Sequence, residues 1–261
     1  MRDFEETLNN ELNGKRSDPP FILCAGGGPF GLKAAEIAKS YGAVLVVDRD
    51  LKCPAARKAD IVLDQIHDLD LYSLGKIQFL VADAAGVLLD LIDLNQLPDF
   101  VIPVVKGHFA ARLAFEFLVR NGYQVMPNPD LMAKMIPKLP DILSSQTDEN
   151  SAVLSVSYMP FQEQCDEMCE RPLICPITGL KREIPMHEII TRSLLEVTRS
   201  FAVLVTQNFG GIGALRISDI QRLIKCLSSL KSSDSLCVAT SCECHGIVNF
   251  LVVGSLRENT L

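Results

Sequence analysis

Three cysteines lie close together in the second half of the chain, where Cys165, Cys169 and Cys175 fall within eleven residues. The N-terminus is polar and has no apolar signal-peptide core, so we do not expect the disulfides of an exported protein. Thiolates bind soft cations, and three of them at this spacing favour a metal centre over isolated reduced cysteines. The spacing matches neither the C-x2-C of common zinc sites nor that of ferredoxins. Zinc and a [4Fe–4S] cluster both remain open, and we favour the cluster.

A fourth ligand is expected from the segment 240–246, which follows an apolar, strand-like run and contains Cys242, Cys244 and His245. In an extended chain Cys242 and Cys244 would point to opposite faces, so one of them should reach the cluster. We predict Cys244 as that ligand, with Cys242 and His245 as alternatives. The remaining cysteines stand alone in the sequence, and core packing is the expected role of Cys24, Cys53, Cys226 and Cys237.

A second candidate site lies in residues 21–48, FILCAGGGPFGLKAAEIAKSYGAVLVVD. An apolar run, a glycine-rich turn, a helical pattern and a second apolar run ending in Asp48 form the order expected of a βαβ unit that binds a dinucleotide. Backbone amides at the helix N-terminus attract a phosphate, and the acid accepts hydrogen bonds from ribose hydroxyls. A tight turn without a ligand is the alternative. The expected cofactor contacts are Gly26, Gly27, Gly28, Gly31 and Asp48.

Lys106 and His108 follow the strand-like run 100–105. Ligands of open α/β sheets gather at the carboxyl ends of the strands. Lys106 could therefore hold an anion, and His108 could relay a proton near neutral pH. The alternative is a solvated lysine and a histidine that caps the next helix.

Strand-like runs alternate with helical patterns along the chain, which predicts an α/β fold: a Rossmann-like parallel-sheet domain followed by a smaller cysteine-rich α/β domain. Helices are expected at about 29–40, Ala84–Asp93 and Phe109–Arg120. The polar segment Ser144–Asn150 is interpreted as the linker. The expected divisions are an N-terminal arm at 1–18, a nucleotide-binding domain at 19–145 and a domain with a metal site at 146–261.

The stretch GGGPFGLKAAEIAKSYGAVLVVDRDLKCPAARKADIVL resembles the N-terminal domain of ATP-grasp enzymes such as carboxyaminoimidazole ribonucleotide synthetase. Those domains have a glycine-rich βα turn, a second strand ending in Asp, and a P-A-x-x-x-A-D stretch that Pro54–Asp60 matches. The resemblance covers about residues 20–135 and implies a Rossmann-like fold. The rest of the chain is too short for an ATP-grasp module, so ligase activity is not implied. The first βαβ unit also resembles, more loosely, that of siroheme-type dehydrogenases.

The composition narrows the class of partner. The formal net charge is −7, and lysine and arginine form no long cluster, so neither nucleic acid nor an anionic membrane is the expected partner. No apolar run approaches the ~18–20 residues of a membrane helix. We expect a cytoplasmic protein with a small-molecule ligand, and a homodimer remains open.

These patterns lead to three hypotheses. The first is a redox enzyme, an oxidoreductase that binds NAD(P) or another nucleotide and carries a cysteine-ligated iron–sulfur or zinc centre. The second is a non-catalytic nucleotide or redox sensor with a structural metal. The third is a ligand-binding relative of the ATP-grasp N-terminal domain.

Overall fold

The computed structural model describes residues 19–163, 169, 171–209 and 211–256. The predicted N-terminal arm and Cys165 lie outside the described residues. The chain forms two compact units, the first made of the chain through Phe109 together with Gln207–Ile217, and the second of Ala110–Thr206 and Ser218–Leu261. Both contain strands and helices, so the predicted α/β class is confirmed.

The described elements are as follows. The strands are β1 (Phe21–Ala25), β2 (Ala43–Asp48), β3 (Ile61–Leu63), β4 (Ile77–Val81), β5 (Phe100–Pro103), β6 (Tyr123–Pro127), β7 (Ser144–Asp148), β8 (Val153–Ser157), β9 (Phe201–Val205), β10 (Gln207–Phe209), β11 (Ile212–Arg216), β12 (Ser235–Ser241) and β13 (His245–Leu256). The α-helices are α1 (Pro29–Ala38), α2 (Pro54–Lys58), α3 (Ala84–Asp93), α4 (Phe109–Arg120), α5 (Pro129–Met135), α6 (Met186–Val197) and α7 (Ile217–Ser228). Short 3-10 turns occur at Ile66–Asp68 and Ile136–Lys138.

The first unit is built on a seven-stranded sheet with the order β10-β11-β5-β1-β2-β4-β3. The five strands from β5 to β3 run parallel, and the β10–β11 hairpin adds to β5 in the antiparallel direction. All five residues of β1 are buried, as expected of a parallel strand covered on both faces. The sheet therefore brings the segments that follow β1, β2 and β5 to the same edge.

Helix α1 begins at Pro29, where a proline suits the first turn because no N–H is needed there. Its buried face carries only small residues, Gly31, Ala34, Ala35 and Ala38. These residues let the helix lie close to the sheet. The helix thus starts directly after the glycine-rich turn.

The second unit is built on a six-stranded sheet with the order β7-β8-β13-β12-β9, and β6 pairs with β13 as well. The long strand β13 is antiparallel to β12, β8 and β6, whereas β12 and β9 are parallel. Helices α5 and α6 contribute to its core through Met135, Ile190 and Leu194, which are fully buried with Phe250 of β13.

The polar segment Ser144–Asn150 is not a linker, and that prediction was wrong. Residues Ser144–Asp148 form β7, which pairs with β8 at the edge of the second sheet. Four of its five residues are exposed, which explains why the sequence resembles a loop.

The observed division also differs from the expected boundary at 145/146. Strand β6 pairs in the second sheet, whereas the β10–β11 hairpin returns to the first. Local composition does not indicate pairings between segments that lie so far apart in the sequence.

Helix α6 was not predicted from the sequence, although it buries Met186, Ile189, Ile190 and Leu194 on one face. In the part of the chain that the structure describes, no helix has the length and apolar character needed to cross a bilayer.

Candidate functional site

Gly26 is held in a backbone conformation that excludes other residues. Its φ is +111°, and a Cβ there would lie 2.7 Å from the carbonyl oxygen of Val104. Its N–H donates to the carbonyl of Val47 at 2.8 Å. The turn after β1 is therefore packed tightly between the ends of β2 and β5.

The two other motif glycines have different environments. A Cβ on Gly31 would overlap the carbonyl of Gly26, so helix α1 can approach the turn only with glycine at this position. A Cβ on Gly28 would have no atom within 4 Å. Gly26 and Gly31 are thus explained by packing, whereas Gly28 faces open space beside the N-terminus of α1.

Asp48 lies at the end of β2, under the glycine-rich turn. Its Oδ2 accepts from the N–H of Gly27 at 2.6 Å, and its Oδ1 accepts from the N–H of Asp50 at 2.9 Å. The carbonyl of Gly27 accepts from the N–H of Ala55 at 2.9 Å. The predicted cofactor residues are thus linked to one another, with the acid fixed by two backbone donors.

Lys106 and His108 lie in the loop between β5 and α4, where Lys106 is exposed and His108 is half-buried. The loop turns at Gly107, whose φ is +81°. It begins near Val104, whose N–H donates to the carbonyl of Ala25 at 2.8 Å. Both residues therefore lie on a loop that starts at the sheet edge carrying the glycine-rich turn.

The described thiols predicted as metal ligands surround one cavity in the second unit. Its walls carry Cys169, Cys175, Cys244 and His245, together with Arg182 and the apolar side chains of Tyr158, Met159 and Leu180. Three widely separated segments supply these residues. The cavity thus combines sulfur, an imidazole and one guanidinium in an apolar surround.

Cys175 lies in a tight turn closed by its own backbone hydrogen bonds. Its N–H donates to the carbonyl of Leu180, and its carbonyl accepts from the N–H of Gly179, both at 2.9 Å. The pKa of the Cys175 thiol is lowered, chiefly by the hydroxyl of Thr178 and further by the backbone N–H groups of Thr178 and Ile177, whereas partial burial raises it.

Cys242 has a similar arrangement in the turn between β12 and β13. Its sulfur accepts from the N–H groups of Cys244 and His245, each at 3.3 Å, and lies 3.6 Å from Nδ1 of His245. Burial raises the pKa of this thiol, but the contact with His245, the Cys244 amide and the charge of Arg171 outweigh burial and lower the pKa to about 7. The thiolate form is therefore favoured here.

Cys244 is bound by Arg182, whose Nη1 lies 2.7 Å from the sulfur. Burial raises the pKa of the Cys244 thiol, and the charge of Arg182 partly opposes this. The charges of Cys242 and Cys169 also raise it, which means that both thiols lie within electrostatic range of Cys244.

Cys169 accepts from the N–H of Arg171 at 3.4 Å. Arg171 has a φ of +59°, and its Nη1 donates to the carbonyl of Thr206 at 3.0 Å. Arg171 thereby connects Cys169 to Thr206, the residue that follows β9.

Comparison with known proteins assigns the second unit to a family. Residues 110–254, more than half of the 261 residues, match the family AF_1314_C, described as "Uncharacterized protein, C-terminal domain". The chain belongs to this family. The AF_1314_C match begins at the first residue of the second unit. A protein of Archaeoglobus fulgidus, described as "Uncharacterized protein", is 25% identical over 231 residues, covering 88% of this chain and 98% of its own length. No solved structure matches.

The cysteine cavity of this AF_1314_C member suits a soft metal by its donor chemistry. Among the described residues, however, no three histidine, cysteine or carboxylate side chains stand close enough to hold a metal ion as they are placed. Cys165 lies outside the described residues. The donor types therefore fit a thiolate metal centre, but the described side chains do not form a finished cage.

Sequence reasoning did not identify Arg171 and Arg182 as parts of this site. Both lie near the predicted ligands in the sequence, but isolated arginines are ordinary surface residues, and no spacing rule marks these two. Only the folded turn at Cys175 brings Arg182 beside Cys244.

Proposed function

We propose that the second unit binds a soft metal, either a zinc ion or an iron–sulfur cluster, through cysteine thiolates. The observation that carries this proposal is that Cys169, Cys175, Cys244 and His245 line a single cavity. Reduced thiols that served only to fill a core would have no reason to converge with an imidazole.

The surroundings of two thiols support the same conclusion. The sulfur of Cys242 accepts two backbone N–H groups, and such donors favour the charged thiolate. The pKa of the Cys175 thiol is lowered as well, chiefly by the hydroxyl of Thr178. A thiolate with little access to water needs a compensating positive charge, which a metal supplies. Hydrogen bonds to ligating sulfur also tune a metal centre.

Bound zinc would stabilise the fold around the cavity or polarise a ligand, whereas a cluster would transfer electrons. The residues of the chain have roles that do not depend on this choice. The ring of Tyr158 and the side chains of Met159 and Leu180 line the cavity beside the sulfurs. The hydroxyl of Tyr158 donates to the carbonyl of Ile184 at 2.6 Å and so is already paired.

We further infer that the first unit binds a nucleotide, with NAD(P) as the leading candidate. The specific support is the open space at Gly28, next to the first turn of α1, with Asp48 fixed below it. Free amides and the helix dipole at such an end attract a phosphate. With both ligands, the protein would be a cytoplasmic oxidoreductase. With nucleotide and a structural metal alone, it would be a sensor.

The metal proposal is tested on protein purified without oxygen, by metal analysis and absorption spectroscopy. Zinc in stoichiometric amount, or iron with a brown colour that bleaches on reduction, supports it. Cys175→Ser should lose the metal, whereas Cys226→Ser, at a half-buried thiol on α7, should retain it. Metal-free wild-type protein of full stability would refute the proposal.

The nucleotide proposal is tested separately by isothermal titration and thermal shift. Binding of NADH without binding of ATP supports the oxidoreductase hypothesis. Binding of ATP alone favours the ATP-grasp relative. If neither NADH nor ATP binds, the glycine-rich turn is not a site for either nucleotide.

A further inference from the structure

Cys242 and Cys244 lie two positions apart in the turn that joins β12 to β13, and a direct contact links them. The N–H of Cys244 donates to the sulfur of Cys242, with the two atoms 3.3 Å apart. The N–H of His245 donates to the same sulfur, also at 3.3 Å. The sulfur of Cys242 therefore lies over the backbone of Cys244.

The turn brings the two residues within the range of a disulfide. The N–H of Cys242 donates to the carbonyl of His245 at 2.9 Å and closes the turn around Cys244. Two positions of a fully extended chain span at most ~6.6–7.2 Å, and a turn shortens this distance. The Cα atoms of a disulfide are ~4.4–6.8 Å apart. Rotation of the Cys244 side chain about its Cα–Cβ bond can thus join the two sulfurs.

In the structure both thiols are free and half-buried, so a small oxidant can reach them. The sulfur of Cys244 lies 2.7 Å from Nη1 of Arg182. A disulfide with Cys242 would break this contact, which favours the reduced form of the pair. An oxidant is therefore needed to close the pair, and a thiol reductant should reopen it.

We propose that Cys242 and Cys244 form a redox pair that undergoes thiol–disulfide exchange with a small-molecule disulfide. One cysteine sulfur attacks the disulfide and releases one small thiol, which takes up the proton of the attacking cysteine. The second sulfur attacks the resulting mixed disulfide, forms the Cys242–Cys244 bond and releases the other small thiol with the second proton. The pair loses two electrons and two protons, and the small disulfide gains them. This inference goes beyond the proposed metal function and needs no metal.

The reaction would connect the turn to the cavity. Cys244 lines the cavity and is a predicted metal ligand. A sulfur that is bonded to Cys242 no longer serves as a thiolate donor. Oxidation would therefore remove one donor from the cavity, and reduction would restore it.

The experiment treats full-length protein, purified without oxygen and fully reduced, with glutathione disulfide as the probe. Wild-type protein should lose two hydrogen atoms by mass, and fragmentation of its peptides should map the new bond to Cys242 and Cys244. Reduced dithiothreitol should reverse the change. Cys242→Ser and Cys244→Ser should each lose this bond completely, whereas Cys226→Ser, at a half-buried thiol on α7, should form it as wild type does. Circular dichroism of each variant confirms that it is folded.

The bond mapped in wild-type protein decides the inference even if a variant does not fold. A bond from Cys244 to Cys169 or Cys175 overturns it. A stable glutathione adduct without an internal bond overturns it as well.

Metal content of the same preparations separates this inference from the proposed function. Protein that never binds metal but forms the Cys242–Cys244 bond refutes the metal proposal alone. Protein that binds metal, but does not form this bond after a chelator has removed the metal, refutes the redox pair alone.

Discussion

Arg182 donates from Nη1 to the sulfur of Cys244, with the two atoms 2.7 Å apart. Its Nη2 donates to the carbonyl of Arg171 at 2.8 Å, and its Nε lies 3.8 Å from the carboxylate of Glu243. Only 11% of this side chain is exposed. One cation thus connects the segment after Cys169, the turn after Cys175 and the turn between β12 and β13.

Replacing Arg182 with Gln should destabilise the second unit by about 1–3 kcal/mol, because it leaves polar partners without their donors. Arg192→Gln is the matched control, since that side chain is 64% exposed and pairs with Glu188 one helical turn away. We expect this control to lose less than about 0.5 kcal/mol of stability. Urea unfolding followed by circular dichroism measures both. Equal losses in the two variants would show that Arg182 is an ordinary surface residue.

Alanine substitutions at Gly31 and Gly28 distinguish a glycine needed for packing from a glycine that leaves room for a ligand. Gly31→Ala should cost about 1–3 kcal/mol or more, because its Cβ would overlap the Gly26 carbonyl. Gly28→Ala should change stability by less than about 1 kcal/mol, since its Cβ enters open space.

If a phosphate occupies the space beside Gly28, the same Gly28→Ala change should weaken NADH binding at least about 10-fold. Thermal unfolding and isothermal titration of one preparation measure both properties. Full NADH affinity in a folded Gly28→Ala protein would mean that the bound nucleotide does not approach this backbone.

Asp48 and Asp60 provide a matched pair of carboxylates in the first unit. Each accepts from a backbone N–H, Asp48 from Gly27 at 2.6 Å and Asp60 from Ile77 at 2.8 Å. Alanine at either position should therefore cost about 1–3 kcal/mol. Only Asp48→Ala should also reduce NADH affinity, by at least about 10-fold, because only Asp48 lies under the glycine-rich turn. Parallel losses of affinity in both variants would point to general destabilisation rather than a ribose contact.

The apolar strands and amphipathic helices could be predicted from the sequence. Strand Phe21–Ala25 and helices Ala84–Asp93 and Phe109–Arg120 have the predicted bounds. Their apolar periodicity is strong, and turn or capping residues border them, such as Asp83, whose carboxylate accepts from the first-turn amides of the helix that follows. Local pattern is sufficient where burial and propensity agree.

Long-range pairing and local turns could not be predicted. Strand Ile212–Arg216 pairs with Phe100–Pro103, more than 100 residues away, and nothing in either sequence specifies this partner. The segment with Cys242 and Cys244 was expected to be extended, but the N–H of Cys242 donates to the carbonyl of His245 and bends it into a turn. Cys244 lines the cavity, and its role as a metal ligand stays a prediction.

Cys24 makes the first unit sensitive to alkaline pH. It is fully buried in β1, and burial raises the pKa of its thiol from 9.0 to about 12. An acid whose pKa is raised by folding holds its proton more tightly in the folded state. The associated stability is therefore complete below pH 9 and is lost as the pH rises from 9 towards 12.

We expect this loss to be about 1.4 kcal/mol per pH unit, and Cys24→Ala should remove it. The measurement is the urea unfolding free energy at several pH values above 9, compared with Cys226→Ala, whose thiol is only half-buried and lies in the second unit. Cys24→Ala starts less stable near neutral pH because it leaves a small cavity, but its stability should fall less steeply. Identical slopes in wild type and Cys24→Ala would show that the buried thiol ionises without unfolding the sheet around it.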